Sequence, residues 1–247
     1  MQVCLNCGMQ LTDHYCAHCG QKAEVSRLTW HSLVEEVFHF FTHIEKGFFK
    51  TAGTLIIRPG KLFKDYLDGK RKTYHKPVSF LMIWIAAFLI IFGLANKFTH
   101  YASINSESLV TFDARTWMII NKYRTLIEVL ILPVTAFITW LVVARPRLNY
   151  IEIVSVSFYI VSLLFIVLCI QMVIALIFQL NYRTNTFDLV SVIVYLIWIL
   201  YCGIDFYRRY KVRWLVVRVI FSVALNVVAY FLLSRLIAKG LLALGFA

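Results

Sequence analysis

Long apolar segments separated by short charged loops fill the C-terminal two thirds of the chain. Five of them reach the length of about 18 residues that a helix needs to cross a hydrocarbon core about 30 Å thick. The predicted spans are 78–98, 126–144, 151–180, 189–206 and 214–237. The third would be about 45 Å long as a straight helix, so we expect it to tilt or protrude. The pattern predicts a mainly α, polytopic integral membrane protein with about five transmembrane helices over residues 78–247.

Residues 26–77 precede these spans and carry a different, amphipathic pattern. Within 30–44, apolar residues recur at every third or fourth position, which places them on one face of a helix. The apolar run at 48–57 is too short to cross a bilayer, and an Arg-Pro-Gly sequence separates it from a second short amphipathic helix over 61–67. Aromatic residues interleaved with lysines are typical of helices in the headgroup layer. We therefore predict interfacial helices whose aromatic faces lie at the acyl boundary or against the spans.

Two Cys-x-x-Cys-Gly units dominate residues 1–25. The glycine of each unit allows a tight turn in which backbone amides face the thiolates. A disulfide framework would need an oxidising compartment, and a redox Cys-x-x-Cys pair normally lies on a thioredoxin-like strand and helix, for which this segment has no room. Four sulfur ligands suit tetrahedral Zn²⁺, and His14 and His18 are alternative ligands nearby. We predict a structural zinc ribbon with the ligands Cys4, Cys7, Cys16 and Cys19.

The net charge of +12 would suggest nucleic acid as the partner of a soluble protein. Here the positive residues cluster beside apolar runs, where the positive-inside rule accounts for them, and Lys22 is the only lysine or arginine in residues 1–22. With the N-terminus in the cytoplasm, thirteen loop lysines and arginines lie on the cytoplasmic side and six on the other. The charge bias predicts a cytoplasmic N-terminus and a C-terminus outside, and it disfavours nucleic acid as a partner.

The amphipathic region contains a candidate polar site on its first helix. Glu36, His39 and His43 fall within about 60° of one another around a helix. Such a group could bind a metal, act as acid and base, or sense pH. A solvated face, or a polar seam packed against another helix, is the alternative interpretation.

Basic residues beside the first span form a second candidate site. Lysine and arginine near the bilayer surface attract anionic headgroups by about 1 kcal/mol each. The predicted headgroup ligands are Arg58, Lys61, Lys70, Arg71, Lys72 and Lys76. Within the spans, Arg218 could form an ion pair with Glu152 or Asp205, or each of these residues could reach the interface separately.

The first third of the chain resembles an uncharacterised family of bacterial membrane proteins with an N-terminal zinc ribbon. Besides the four cysteines, the matching patterns are His-Phe-x-Thr-His-x-Glu at 39–45, Arg-Pro-Gly-Lys at 58–61 and Tyr-x-x-Gly-Lys-Arg-x-x-Tyr-x-x-Pro at 66–77. The resemblance covers about residues 4–82. It implies a domain of unknown function followed by membrane helices, in the bacterial inner membrane, and it supplies no activity.

Three classes of function remain. The protein could be a non-enzymatic component in which the ribbon docks a protein partner and the basic residues hold anionic lipid. It could be a transporter or a lipid-translocating protein, although central polar residues are scarce. It could also be an interfacial enzyme that uses Glu36, His39 and His43, although no phosphate loop, nucleophile elbow or His-Glu-x-x-His motif is present. We expect the first class, and the sequence leaves the partner, any substrate and the oligomeric state open.

Overall fold

The computed structural model describes residues 2–33, 47–98, 116, 119–120, 122–178 and 185–244. Within these residues the chain is mainly helical and contains no β-strand, which confirms the predicted fold class. The ribbon has two isolated antiparallel bridges, Val3 with Gln10 and Tyr15 with Lys22.

Two short helices and five long ones follow the ribbon in the described part of the chain. They are α1 (Phe48–Ile57), α2 (Pro59–Leu67), α3 (Pro77–Phe98), α4 (Arg124–Thr139, extended by a π-helical turn at Trp140–Ala144), α5 (Tyr150–Ile177), α6 (Asn185–Arg208) and α7 (Leu215–Ala243). The long helices α3 to α7 are each long and apolar enough to cross a membrane, as the sequence predicted. α7 continues beyond the predicted end at 237, because the sequence after Lys239 is again apolar.

The helix α5 is the centre of the bundle. It packs against α3, α4 and α6. Of the residues in its most apolar segment, 56% are buried inside the protein, compared with 11% in the corresponding segment of α7. A helix that is apolar on all sides is buried among other helices or in lipid. At its start, the Asn149 side chain accepts a hydrogen bond from the Glu152 amide, and the Glu152 carboxylate accepts one from the Asn149 amide. This capping box fixes the first turn of the central helix.

The helix α2 packs against the bundle. Leu62, Phe63 and Tyr66 are buried on one face, and the Phe63 ring contacts the rings of Tyr159 in α5 and Phe206 in α6. Of the two placements that its amphipathic pattern allowed, the structure shows packing against the spans.

Candidate metal centre and the junction beside it

The four cysteines of the ribbon form one compact group of sulfur atoms. Their Sγ atoms all lie within 4.8 Å of one another, and the Cys4–Cys19 and Cys7–Cys16 Sγ–Sγ distances are both 3.6 Å. Four ligands about 2.3 Å from a tetrahedral zinc ion would lie about 3.8 Å apart, so the group fits Zn²⁺. The cysteines therefore lie close enough to hold a metal ion, whereas the identity of the metal stays a prediction. His14 and His18 are exposed and lie outside this group.

The backbone of each Cys-x-x-Cys-Gly unit is folded around its sulfur atoms. Gly8 and Gly20 have φ values of 78° and 72°, in the left-handed region that favours glycine. The amides of Cys19 and His18 donate hydrogen bonds to the Cys16 sulfur and lower the pKa of that thiol to about 6. The amide of Met9 acts in the same direction on Cys7, but desolvation and the neighbouring thiols raise the pKa of Cys7 to about 12. Four thiolates repel one another, so a cation is needed to hold them together.

The ribbon is bound to the segment that leads into the first span. We call residues 47–76, which include α1, α2 and the loop that follows them, the junction. The Gln21 side chain is buried, donates a hydrogen bond to the Gly69 carbonyl at 2.9 Å and accepts one from the Lys72 amide at 3.2 Å. Asn6 Oδ1 accepts two hydrogen bonds from Thr73, one from the amide at 3.0 Å and one from the hydroxyl at 2.7 Å. Asn6 lies in the first Cys-x-x-Cys unit and Gln21 follows the second, so both units contact the same loop.

Polar contacts within the junction shape this loop. Asp65 accepts hydrogen bonds from the Lys70 ammonium at 2.9 Å and the Tyr74 hydroxyl at 3.0 Å. Burial acts to raise the pKa of Asp65, but these two hydrogen bonds, together with the positive charges of Lys70 and Lys61, outweigh it and lower the pKa below its ordinary value. Burial, together with the hydrogen bond to Asp65, raises the pKa of Tyr74 to about 12. The loop is therefore held by an ionised Asp65 and a neutral Tyr74 at neutral pH.

The predicted headgroup ligands divide into two groups. Lys70 binds Asp65, and the Arg71 guanidinium donates a hydrogen bond to the Ser26 carbonyl at 2.6 Å. Arg58, Lys61 and Lys72 have exposed side chains on the same junction, and Lys76 is half-buried. The structure therefore shows internal partners for part of this set, and binding of headgroups by these residues stays a prediction.

A buried histidine connects the junction to the central helix. The His75 backbone amide donates a hydrogen bond to the Thr51 hydroxyl at 2.8 Å, and the Tyr159 hydroxyl donates one to the His75 carbonyl. All three residues are buried. No role was predicted for any of them, and the signal for His75 was a polar pattern around 74–76 just before an apolar span.

Two carboxylates of the spans bind partners other than Arg218. Glu152 is buried and forms a bidentate pair with Arg27, with Nε–Oε1 at 3.0 Å. Asp205 accepts a hydrogen bond from the Gly60 amide at 2.8 Å and lies 3.5 Å from Arg209. Of the two possibilities left open for Arg218, the described residues show no ion pair with either carboxylate, whose partners are Arg27, Gly60 and Arg209.

The candidate polar site formed by Glu36, His39 and His43 lies outside the described residues. Its proposed roles as a metal site, an acid and base pair or a pH sensor stay predictions.

A family model described as "Protein of unknown function (DUF3667)" matches residues 45–89. The match confirms the predicted resemblance to an uncharacterised family. It covers the whole junction and the first half of α3, and this is the part of the chain that contacts the ribbon, α5 and α6. Neither a curated protein nor a solved structure matches the chain.

Proposed function

We propose that the protein is a non-enzymatic component of the bacterial inner membrane whose zinc ribbon docks a cytoplasmic protein partner. One observation carries this proposal, namely that the ribbon is fixed to the junction through Asn6 and Gln21 and thereby to the bundle. Four cysteine ligands would close the coordination sphere of Zn²⁺, which is typical of structural sites and leaves no position for a substrate. The metal would supply folding energy to a segment that has almost no core of its own.

The ribbon offers a partner an apolar surface. Val3, Met9 and Tyr15 are at least half exposed, although the ribbon is very small. Large exposed apolar side chains on such a small, rigid module favour a protein contact. We infer that the partner is a protein that buries these side chains in an apolar pocket.

The exposed basic residues of the junction support a second, lipid-binding part of this function. Arg58, Lys61 and Lys72 have exposed side chains on the junction, to which the ribbon also binds. We propose that these residues, with Lys76, hold anionic headgroups and so fix the height of the ribbon above the bilayer. Lys70 and Arg71 contribute positive charge while they hold the loop.

Site-specific photo-crosslinking in cells tests the docking proposal. A photoreactive amino acid at Tyr15 is expected to give a discrete protein adduct, because this side chain is exposed on the ribbon. The adduct should disappear when Cys16→Ser removes a metal ligand. Lys239 lies near the C-terminal end of α7, which we predict to face the other side of the membrane. It is the matched control position and should give no such adduct. Absence of an adduct from the ribbon, or an adduct that survives Cys16→Ser, would contradict the proposal.

Reporter fusions test the orientation that the proposal requires. A reporter active only in the cytoplasm should work when it is fused before Met1 and fail when it is fused after Ala247. The reverse result would place the ribbon outside, where its thiols would be exposed to oxidation.

A further inference from the structure

A cavity of about 260 Å³ lies among α4, α5, α6 and α7. Most of its lining side chains are apolar, for example Ile131, Val156, Leu164, Leu196 and Val223. Pockets for small ligands typically have volumes of about 300–1,000 Å³, so this cavity is at the lower end of the range. It can hold one alkyl chain, but not a lipid with two chains.

A polar residue of the cavity wall has an unfilled hydrogen-bonding position. The Thr139 hydroxyl donates its proton to the Thr135 carbonyl at 2.9 Å and therefore acts as acceptor for Asn226 Nδ2, also at 2.9 Å. This arrangement fixes the orientation of the Asn226 amide. Asn226 Oδ1 is then a buried acceptor with no hydrogen-bond partner among the described residues. A buried acceptor of this kind favours a ligand that donates a hydrogen bond.

A carboxylate supports the same preference one turn further along α7. Tyr230 follows Asn226 by four residues on the same face, and its hydroxyl donates a hydrogen bond to Glu128. Glu128 also lines the cavity, with Arg124 beside it. Ionisable groups that face the interior of a membrane bundle generally mark ligand or ion sites. This wall therefore combines acceptors with the donors of Arg124 and Tyr230, and Asn226 Oδ1 is the buried acceptor in it that has no hydrogen-bond partner among the described residues.

Part of the cavity wall lies at the surface of the bundle, beyond a close contact between α6 and α7. At Gly203, a Cβ atom would lie 2.9 Å from Val219 Cγ1, so the two helices are in close contact near the ribbon end. Val192 and Phe231, which line the cavity further from that end, are half exposed. The two helices are therefore in close contact on the ribbon side of the cavity, and further from the ribbon part of the cavity wall reaches the surface that a chain from the bilayer would contact.

We propose that this cavity binds a single-chain amphiphile whose polar head donates a hydrogen bond to Asn226 Oδ1. The head can be a hydroxyl or an ammonium group, since both donate hydrogen bonds. The alkyl chain lies among the apolar side chains of α4, α5 and α6. This site is distinct from the ribbon, and the proposal does not depend on the docking function.

Paired photoreactive probes test the site in lipid nanodiscs that contain the full chain. The probes are a diazirine-bearing dodecanol, the corresponding dodecylamine and the corresponding alkane, which has no donor. We expect the alcohol or the amine to label cavity-lining residues about three- to tenfold more than the alkane. In Asn226→Leu this preference should disappear, because the acceptor is removed. The readout is a ratio of probes on the same variant, so any unfolded fraction affects both probes equally.

A substitution that fills the cavity with a larger side chain provides the second arm of the test. Val223→Trp should reduce labelling by all three probes, whereas Val228→Trp, at an exposed position of the same helix outside the lining, should leave it unchanged. Equal labelling by all probes in the wild type would overturn the proposal, since water alone would then satisfy Asn226. Labelling that Val223→Trp leaves unchanged would also overturn it.

Discussion

At the scale of single residues, the junction is held by side chains that satisfy backbone groups of distant segments. The Asp205 carboxylate accepts a hydrogen bond from an amide in the first turn of α2, where the helix leaves its amides unpaired. Thr51 and Tyr159 do the same for the amide and carbonyl of His75. An unpaired backbone group is costly when it is buried, so each of these contacts determines how the junction docks.

The close approach at Gly60 gives a sharp test of this docking. A Cβ atom there would lie 2.6 Å from the backbone of Asp205, whereas a Cβ at Gly53 would meet nothing within 4 Å. We expect Gly60→Ala to lower the thermal unfolding temperature, because the backbone cannot give way easily. Gly53→Ala should leave it unchanged or raise it, since alanine favours a helix by about 1 kcal/mol over glycine. Equal effects of the two variants in thermal unfolding would contradict the observed contact.

The ionised Asp65 predicts how the loop responds to acid. Its pKa is lowered in the folded state, so its stabilising contribution is present above the ordinary value of 3.8 and is lost as the pH falls through the folded-state pKa. We expect wild type to unfold at a higher temperature than Asp65→Asn at pH 6, and the difference should shrink as the pH is lowered below 3.8. Asp68→Asn is the control, because the ion-pair partner of Asp68 among the described residues is Lys64, on the exposed side of α2. A difference between wild type and Asp65→Asn that grows on acidification would show that the sign is wrong.

Local sequence predicted the grouping of the four cysteines but not the long-range pairs. The four cysteines could be identified because ligand spacing within a short ribbon is a local property of the chain. The partner of Glu152 could not, because Arg27 lies 125 residues away in the sequence. A charge pattern shows which residues need a partner, but the packing of α5 against the segment after the ribbon decides which partner they find.

At the scale of helices, the amphipathic pattern of α2 identified its buried face but not what covers it. An aromatic face is equally compatible with lipid chains and with the side chains of other helices, because both are apolar. The decision comes from shape, since the Phe63 ring fits between Tyr159 and Phe206. The lengths of α3 to α7 were easier to predict, because the thickness of the bilayer sets a minimum number of apolar residues.

Two phenylalanines of the junction helices allow a buried and an exposed position to be compared experimentally. The Phe63 side chain is 1% exposed, whereas that of Phe49 is 86% exposed. We expect Phe63→Ala to reduce the free energy of unfolding by about 3–5 kcal/mol, because it leaves a cavity between α2, α5 and α6. Phe49→Ala should change it by less than about 0.5 kcal/mol. Denaturant titration in detergent micelles measures both, and a small effect of Phe63→Ala would mean that α2 is not packed against the spans.

At the scale of the whole molecule, the junction connects two parts that obtain their stability from different sources. The ribbon would depend on the metal ion that we propose for its four cysteines, whereas the bundle depends on packing of apolar helices around α5. The hydrogen bonds of Asn6 and Gln21 connect the two, and they end on a loop only a few residues from the first turn of α3. A force on the ribbon would therefore act directly on the start of the first span.

This arrangement predicts that docking and metal binding can be separated by mutation. A double variant, Asn6→Ala with Gln21→Ala, should keep one zinc per chain, because neither side chain is a ligand. It should nevertheless increase hydrogen exchange at the Lys72 and Thr73 amides, which lose their acceptors. Cys4→Ser with Cys16→Ser should lose the zinc and increase exchange at these two amides as well as throughout the ribbon.

In both variants the amides of α5 should stay protected, since the capping box and the bundle packing are intact. His14→Ala serves as the ribbon control because its side chain is exposed. Mass spectrometry of metal content and of hydrogen exchange measures these outcomes. Full protection of Lys72 and Thr73 after loss of the metal would show that the loop does not depend on the ribbon. The contact between ribbon and junction on which the docking proposal rests would then be unsupported.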